Sequence, residues 1–126
     1  MVLDTKQTTE KTILIVEDDA AIGELLRLFL SEETPHQTIL VSDGDQALNI
    51  IKDIAPNLFL LDYRLPRMNG KQLYDQLHAT KGLERIPTIM TSTCTLEHEV
   101  QDPNVVVCIK PFDLDELLST VEKLLA

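Results

Sequence analysis

Short, continuously apolar runs alternate along this chain with stretches of helical periodicity. Thr12 to Val16 is apolar and rich in β-branched residues, and so are Gln37 to Val41, Leu58 to Leu61, Ile89 to Met90 and Val105 to Ile109. Runs of about four to eight such residues predict strands buried on both faces. Between them the period changes to that of amphipathic helices. From Ala20 to about Ser31 the pattern puts Ile22, Leu25, Leu26, Phe29 and Leu30 on one inward face, with Asp19 as N-cap. Ser42 or Asp43 caps a second helix carrying Ala47, Leu48, Ile51 and Ile54 inward, closed by Pro56. A third helix carries Leu73, Tyr74, Leu77 and His78 at helical spacing. Leu96 to Gln101 leaves room for about two turns of a fourth. Asp113 opens the last, with Leu114, Leu117, Leu118, Val121, Leu124 and Leu125 on one side.

Strand and helix alternating five times predict a doubly wound α/β domain: a parallel sheet covered on both faces with right-handed crossovers. At 126 residues the chain fits one domain, expected over residues 12–126 behind a polar tail at 1–11. With 21 acidic against 11 basic side chains, a net charge of -10, the domain repels phosphate backbones and anionic membranes. Neither nucleic acid nor membrane is expected as a direct partner. Cys94 and Cys108 have no zinc-ligand spacing, the amino-terminal residues lack a signal-peptide core, and no stretch approaches about 18 apolar residues. A reduced, cytoplasmic setting is the expectation.

The strands deliver polar residues at their carboxyl ends, where open parallel sheets bind ligands. The first runs into Glu17-Asp18-Asp19, the third into Asp62, the fourth into Thr91-Ser92-Thr93 and the fifth into Lys110-Pro111. Asp at a strand end can simply cap the next turn. Asp62 together with Glu17 and Asp18 is different, because close carboxylates resist joint ionisation unless a cation neutralises them. An all-oxygen ligand set suits Mg²⁺. His36, His78 and His98 have no convergent partners and read as surface or half-buried histidines.

The motifs Ile-Val-Glu17-Asp18-Asp19, Leu-Leu-Asp62-Tyr-Arg-Leu-Pro66-Arg-Met-Asn-Gly70, Ile-Pro87-Thr-Ile-Met-Thr-Ser92 and Lys110-Pro111-Phe112 occur in order. In this the chain resembles the receiver domain of two-component response regulators, from about Lys11 to Ala126. The resemblance implies a CheY-like, flavodoxin-like (βα)5 fold with sheet order 2-1-3-4-5. It implies that Asp62 accepts a phosphoryl group from a histidine kinase or phosphotransfer protein. Mg²⁺ would be held by Asp18, by Glu17 through water, by Asp62 and by the backbone carbonyl of Arg64, with Asp19 left as the helix cap. Lys110 is implied as counter-ion, in a cis peptide with Pro111, and Ser92 as the hydroxyl that meets the phosphoryl group. Ser92 is assigned by counting four residues on from Thr88, with Thr91 and Thr93 as the flanking alternatives.

Two departures from the family pattern stand out. Val107 replaces the usual aromatic residue on the fifth strand, and the stretch between Ser92 and Lys110 is about one turn short. A shortened or irregular fourth helix and a monomer or weak dimer are therefore expected. Thr93, Cys94 and Arg64 occupy positions that tune the lifetime of the acyl phosphate. The leading expectation is a phosphorylatable signalling module, not an enzyme beyond its own phosphorylation and dephosphorylation. The alternative is a phosphorylation-independent binding module that keeps the fold. An aspartyl-phosphate phosphatase would need an acid two places after the nucleophile, where Arg64 stands.

Overall fold

The computed structural model describes residues 10–93 and 102–126. The expectations for the tail over residues 1–9, for Cys94 and His98, and for the short helix at Leu96–Gln101 lie outside the described residues. The elements run β1 (Thr12–Val16), α1 (Ala20–Glu33), β2 (Gln37–Val41), α2 (Gly44–Ile50), β3 (Leu58–Asp62), α3 (Gly70–His78), β4 (Thr88–Ser92), β5 (Val105–Ile109) and α4 (Leu114–Leu125). All strand pairings are parallel, in the order β2-β1-β3-β4-β5.

Side chains of a strand alternate between sheet faces, so each central strand feeds two cores. Leu14, Val16, Phe59, Leu61 and Met90 pack with Ala47 of α2 and Leu73, Tyr74 and Leu77 of α3. Ile13, Ile15, Leu58, Leu60 and Ile89 pack on the other face with Leu26 and Leu30 of α1 and Leu117, Val121 and Leu125 of α4. The unbroken burial of β3 and β4 explains why their sequences show no polar alternation.

Each helix starts on a side-chain cap, which satisfies amide groups that the first turn leaves without partners. Asp19 accepts from the Ile22 amide, Asp43 from Gln46 and Asp113 from Asp115. Asn69 and Gln72 form a reciprocal capping box at α3.

Three expectations need correction. Ile22 and Leu25 do not enter the core: they are 38% and 53% exposed, and Leu26 and Leu30 carry the contact. The apolar stripe of α1 is wider than the sheet edge can cover. α2 stops at Ile50, and residues 51–53 continue as turns, so Ile54 lies beyond the helix. The two edge strands are half-exposed rather than buried on both faces: among the described residues β2 pairs with β1 alone and is open at Gln37, and β5 pairs with β4 alone and is open at Val106 and Ile109.

Candidate functional site

The sheet brings the carboxyl ends of β1, β3, β4 and β5 to one rim. Asp62, the last residue of β3, lies opposite Thr91 of β4, and Ser92 lies opposite Ile109 of β5. Lys110 follows directly, its amide donating to the Ser92 carbonyl at 2.6 Å. The Lys110-Pro111 peptide is cis. Glu17 leaves β1 with its amide bonded to the Val41 carbonyl at 3.1 Å.

At this rim Glu17, Asp18 and Asp62 present carboxylate oxygens within 4.8 Å of one another. Glu17 and Asp62 are only 4% and 7% exposed, whereas Asp18 is open to solvent. The Lys110 ammonium lies 3.3 Å from Asp62 Oδ2 and 3.5 Å from Glu17 Oε1. One cation therefore faces three carboxylates. The imbalance shows in Glu17, whose pKa is pushed up to about 7 by burial, assisted by the adjacent Asp62 and opposed by the Asp19 amide and Lys110. The Asp19 amide donates to Glu17 Oε2 at 3.1 Å, and the Arg64 amide to Asp62 Oδ1 at 3.2 Å. Those bonds orient the carboxylates, and a cleft of about 480 Å³ opens beside Glu17, Asp18 and Glu24. The donor set is all oxygen, partly buried and short of positive charge, which fits a hard divalent cation such as Mg²⁺.

The sequence-derived residues thus come together: Glu17, Asp18, Asp62 and Lys110 directly, with Ser92 buried at the adjoining strand end. Arg64 is exposed and touches the site through its backbone. Asp19 stays outside the carboxylate group as the α1 cap. Among the described residues no other group of His, Cys, Asp and Glu could hold a metal. His36 accepts from the Lys11 amide. The His78 ring nitrogens lie 3.0 and 2.7 Å from the Tyr74 and Ile86 carbonyls, and its ring packs against Tyr74 and Phe59.

The sequence reading named Gly70 only within the motif after Asp62, without its steric role, and it missed a second contributor altogether. Gly70 starts α3 so close to the end of β3 that a Cβ there would lie 2.7 Å from the Asp62 carbonyl oxygen and 2.9 Å from Tyr63 Cα. Its amide reaches back to the Tyr63 carbonyl at 2.7 Å. The Asn-Gly pair before a helical stretch was the available signal. The second is an apolar groove of about 520 Å³, where Ile22 and Leu25 of α1 face Pro111, Phe112 and Leu114 beside Lys110 and Thr93. Helical periodicity assigns Ile22 and Leu25 to the core, so nothing in the pattern separated them from it.

A family profile described as the response regulator receiver domain matches residues 13–122. The chain belongs to that family. As a receiver it is 34% identical over 122 residues to the DNA-binding response regulator MtrA of Mycobacterium tuberculosis, a match covering 90% of this chain and 50% of MtrA. The chain thus spans about half the length of that relative. It is 33% identical over 117 residues to sporulation initiation phosphotransferase F of Bacillus subtilis, covering 90% of this chain and 92% of the relative. Among solved structures, a response regulator from Chloroflexus aurantiacus superposes with a TM-score of 0.79 at 26% identity, over 92% of this receiver and 98% of that chain. Response regulator TrrA of Thermotoga maritima, solved in complex with Mg²⁺-BeF, gives 0.79 at 26% identity, over 90% and 98%.

Proposed function

We propose that this receiver takes a phosphoryl group onto Asp62 with the help of Mg²⁺ and passes the signal on through protein contacts. The observation that carries the reading is the convergence of Glu17, Asp18, Asp62 and Lys110 at one rim of the sheet. An Asp62 carboxylate oxygen attacks the phosphorus of a phosphohistidine. The P–N bond breaks, its electron pair stays on the imidazole nitrogen, and an acyl phosphate forms on Asp62. Glu17, Asp18, Asp62 and the Arg64 backbone carbonyl would hold the cation. Bound there, Mg²⁺ supplies charge neutralisation for the transferring group. Lys110, now 3.3 Å from Asp62, moves its ammonium onto a phosphoryl oxygen. Ser92, at the end of β4, offers its hydroxyl to another.

The donor is a histidine kinase or a histidine phosphotransfer protein. The groove between α1 and Pro111-Phe112 gives such a protein an apolar seat directly beside Lys110. The added charge, about -1.5 to -2, then shifts a conformational equilibrium. Val107 is half-buried against the α2–α3 core rather than an aromatic switch residue, so the change is reported by backbone and loop movement. The protein is not an enzyme with an external product; its chemistry is its own phosphorylation and dephosphorylation. Retention of all four charged groups and Ser92 speaks against the binding-only alternative.

The test is site mapping. After incubation with phosphoramidate and Mg²⁺, borohydride reduction of the acyl phosphate should convert Asp62 alone to homoserine, read by peptide mass. Conversion at another carboxylate, or persistence of the adduct in Asp62→Ala, would contradict the assignment.

A further inference from the structure

We propose that Arg67 is a positioning residue, clamping the loop after Asp62 to the amino end of α2. The inference rests on the reading of Asp62 as phosphoacceptor. The connection between β3 and α3 contains a backbone outlier: Arg67 has φ 68°, and the Met68 amide donates to the Pro66 carbonyl at 2.7 Å, closing a three-residue turn around it. A long, non-glycine side chain pays for that conformation, which persists only where the surroundings over-determine it.

The surroundings that do so lie on a different element. The Arg67 guanidinium reaches α2, with Nη2 3.0 Å from Asp43 Oδ2 and Nε 3.3 Å from Asp45 Oδ2. Asp43 is itself fixed, since its other oxygen caps α2 through the Gln46 amide at 2.8 Å. Met68 adds an apolar contact beside the ion pairs: it sits over Gly44, where a Cβ would lie 2.7 Å from its sulfur. The far end of the loop is tied by the Gly70 amide to the Tyr63 carbonyl at 2.7 Å. Arg64, whose amide orients Asp62 Oδ1, lies between these anchors. Exposed ion pairs contribute little on their own. Here one guanidinium engages two carboxylates on another element, so losing it unties the turn from α2 and slackens the segment that bears Arg64.

The experiment compares Arg67→Asn, Arg67→Lys and Asp45→Asn with wild type. Two readouts are used: the phosphoramidate labelling rate at saturating Mg²⁺, and amide hydrogen exchange over residues 63–70. Asn tolerates positive φ, so Arg67→Asn removes the clamp while easing the backbone. We expect Arg67→Asn to label about three- to fivefold more slowly, the range of a pairwise effect near 1 kcal/mol, with faster exchange at Arg64 and Gly70. Arg67→Lys keeps most of the rate, Asp45→Asn shows a smaller loss, and the Arg67→Asn and Asp45→Asn losses do not add. Wild-type labelling and exchange in Arg67→Asn would overturn the clamp. A melting temperature lowered without loss of rate would also overturn it, as that marks a merely structural role. If wild type itself does not label, the phosphoacceptor reading fails, and the exchange comparison still decides whether Arg67 holds the loop.

Discussion

Glu17 illustrates how one buried carboxylate reports on the whole site. Its pKa stands near 7 because burial and the neighbouring Asp62 outweigh what the Asp19 amide and Lys110 return. The folded protein therefore binds this proton more tightly than the unfolded chain does. The stability it contributes is complete below about pH 4.5 and is lost as pH rises through about 7. A divalent cation would compensate the buried charge of ionised Glu17 as well as its repulsion from Asp62, so millimolar Mg²⁺ is expected to raise the melting temperature more above pH 7 than below pH 6. Equal stabilisation on both sides, read by calorimetry, would place the cation elsewhere. Lys110 is the other residue whose role is separable. Lys110→Ala is expected to slow phosphoramidate labelling of Asp62 on the order of 10²-fold, the scale for losing one preorganised group at a developing charge. A rate within twofold or so of wild type would remove Lys110 from the reaction. These residues were legible in the sequence because each sits at the end of an apolar run, and parallel pairing places strand ends together.

At the scale of elements, the turn from β3 into α3 carries the most information per residue. The Asn69–Gln72 capping box starts α3, and Gly70 lets it start against the Asp62 backbone. Asn69→Ala is expected to cost about 1 kcal/mol in urea denaturation, the usual scale for an N-cap. Gly70→Ala should cost more, since the obstructing atoms are backbone, and should also slow labelling by displacing Asp62; a Gly70→Ala protein with wild-type labelling would show that the close approach is dispensable. The strands and caps were readable because an apolar, β-branched run and cap chemistry are local properties, whereas the half-exposure of the edge strands β2 and β5 follows from their place in the sheet. Two further features were not readable. Whether Ile22 and Leu25 are covered depends on how far α4 and the Pro111 loop reach across the face of α1. The positive φ of Arg67 depends on carboxylates more than 20 residues earlier in the chain.

Across the whole molecule, the acidic rim and the apolar groove lie side by side. The proposed function gives phosphoryl chemistry to the first and donor recognition to the second, two roles that a single mutation should split. Leu25→Asp changes an exposed position, expected to shift stability by no more than about 0.5 kcal/mol. It should leave phosphoramidate labelling intact and impair transfer from a phosphorylated histidine kinase that labels the wild type. Equal loss with both donors would mean that the groove supports the fold rather than the donor. The central claim, a Mg²⁺-dependent phosphoacceptor at Asp62, is tested most directly by intact mass after phosphoramidate treatment with Mg²⁺ or with chelator. The account predicts a single phosphoryl adduct on the wild type with Mg²⁺, and none with chelator or in Asp62→Ala. An unmodified wild type, under conditions that label another receiver in parallel, would contradict it.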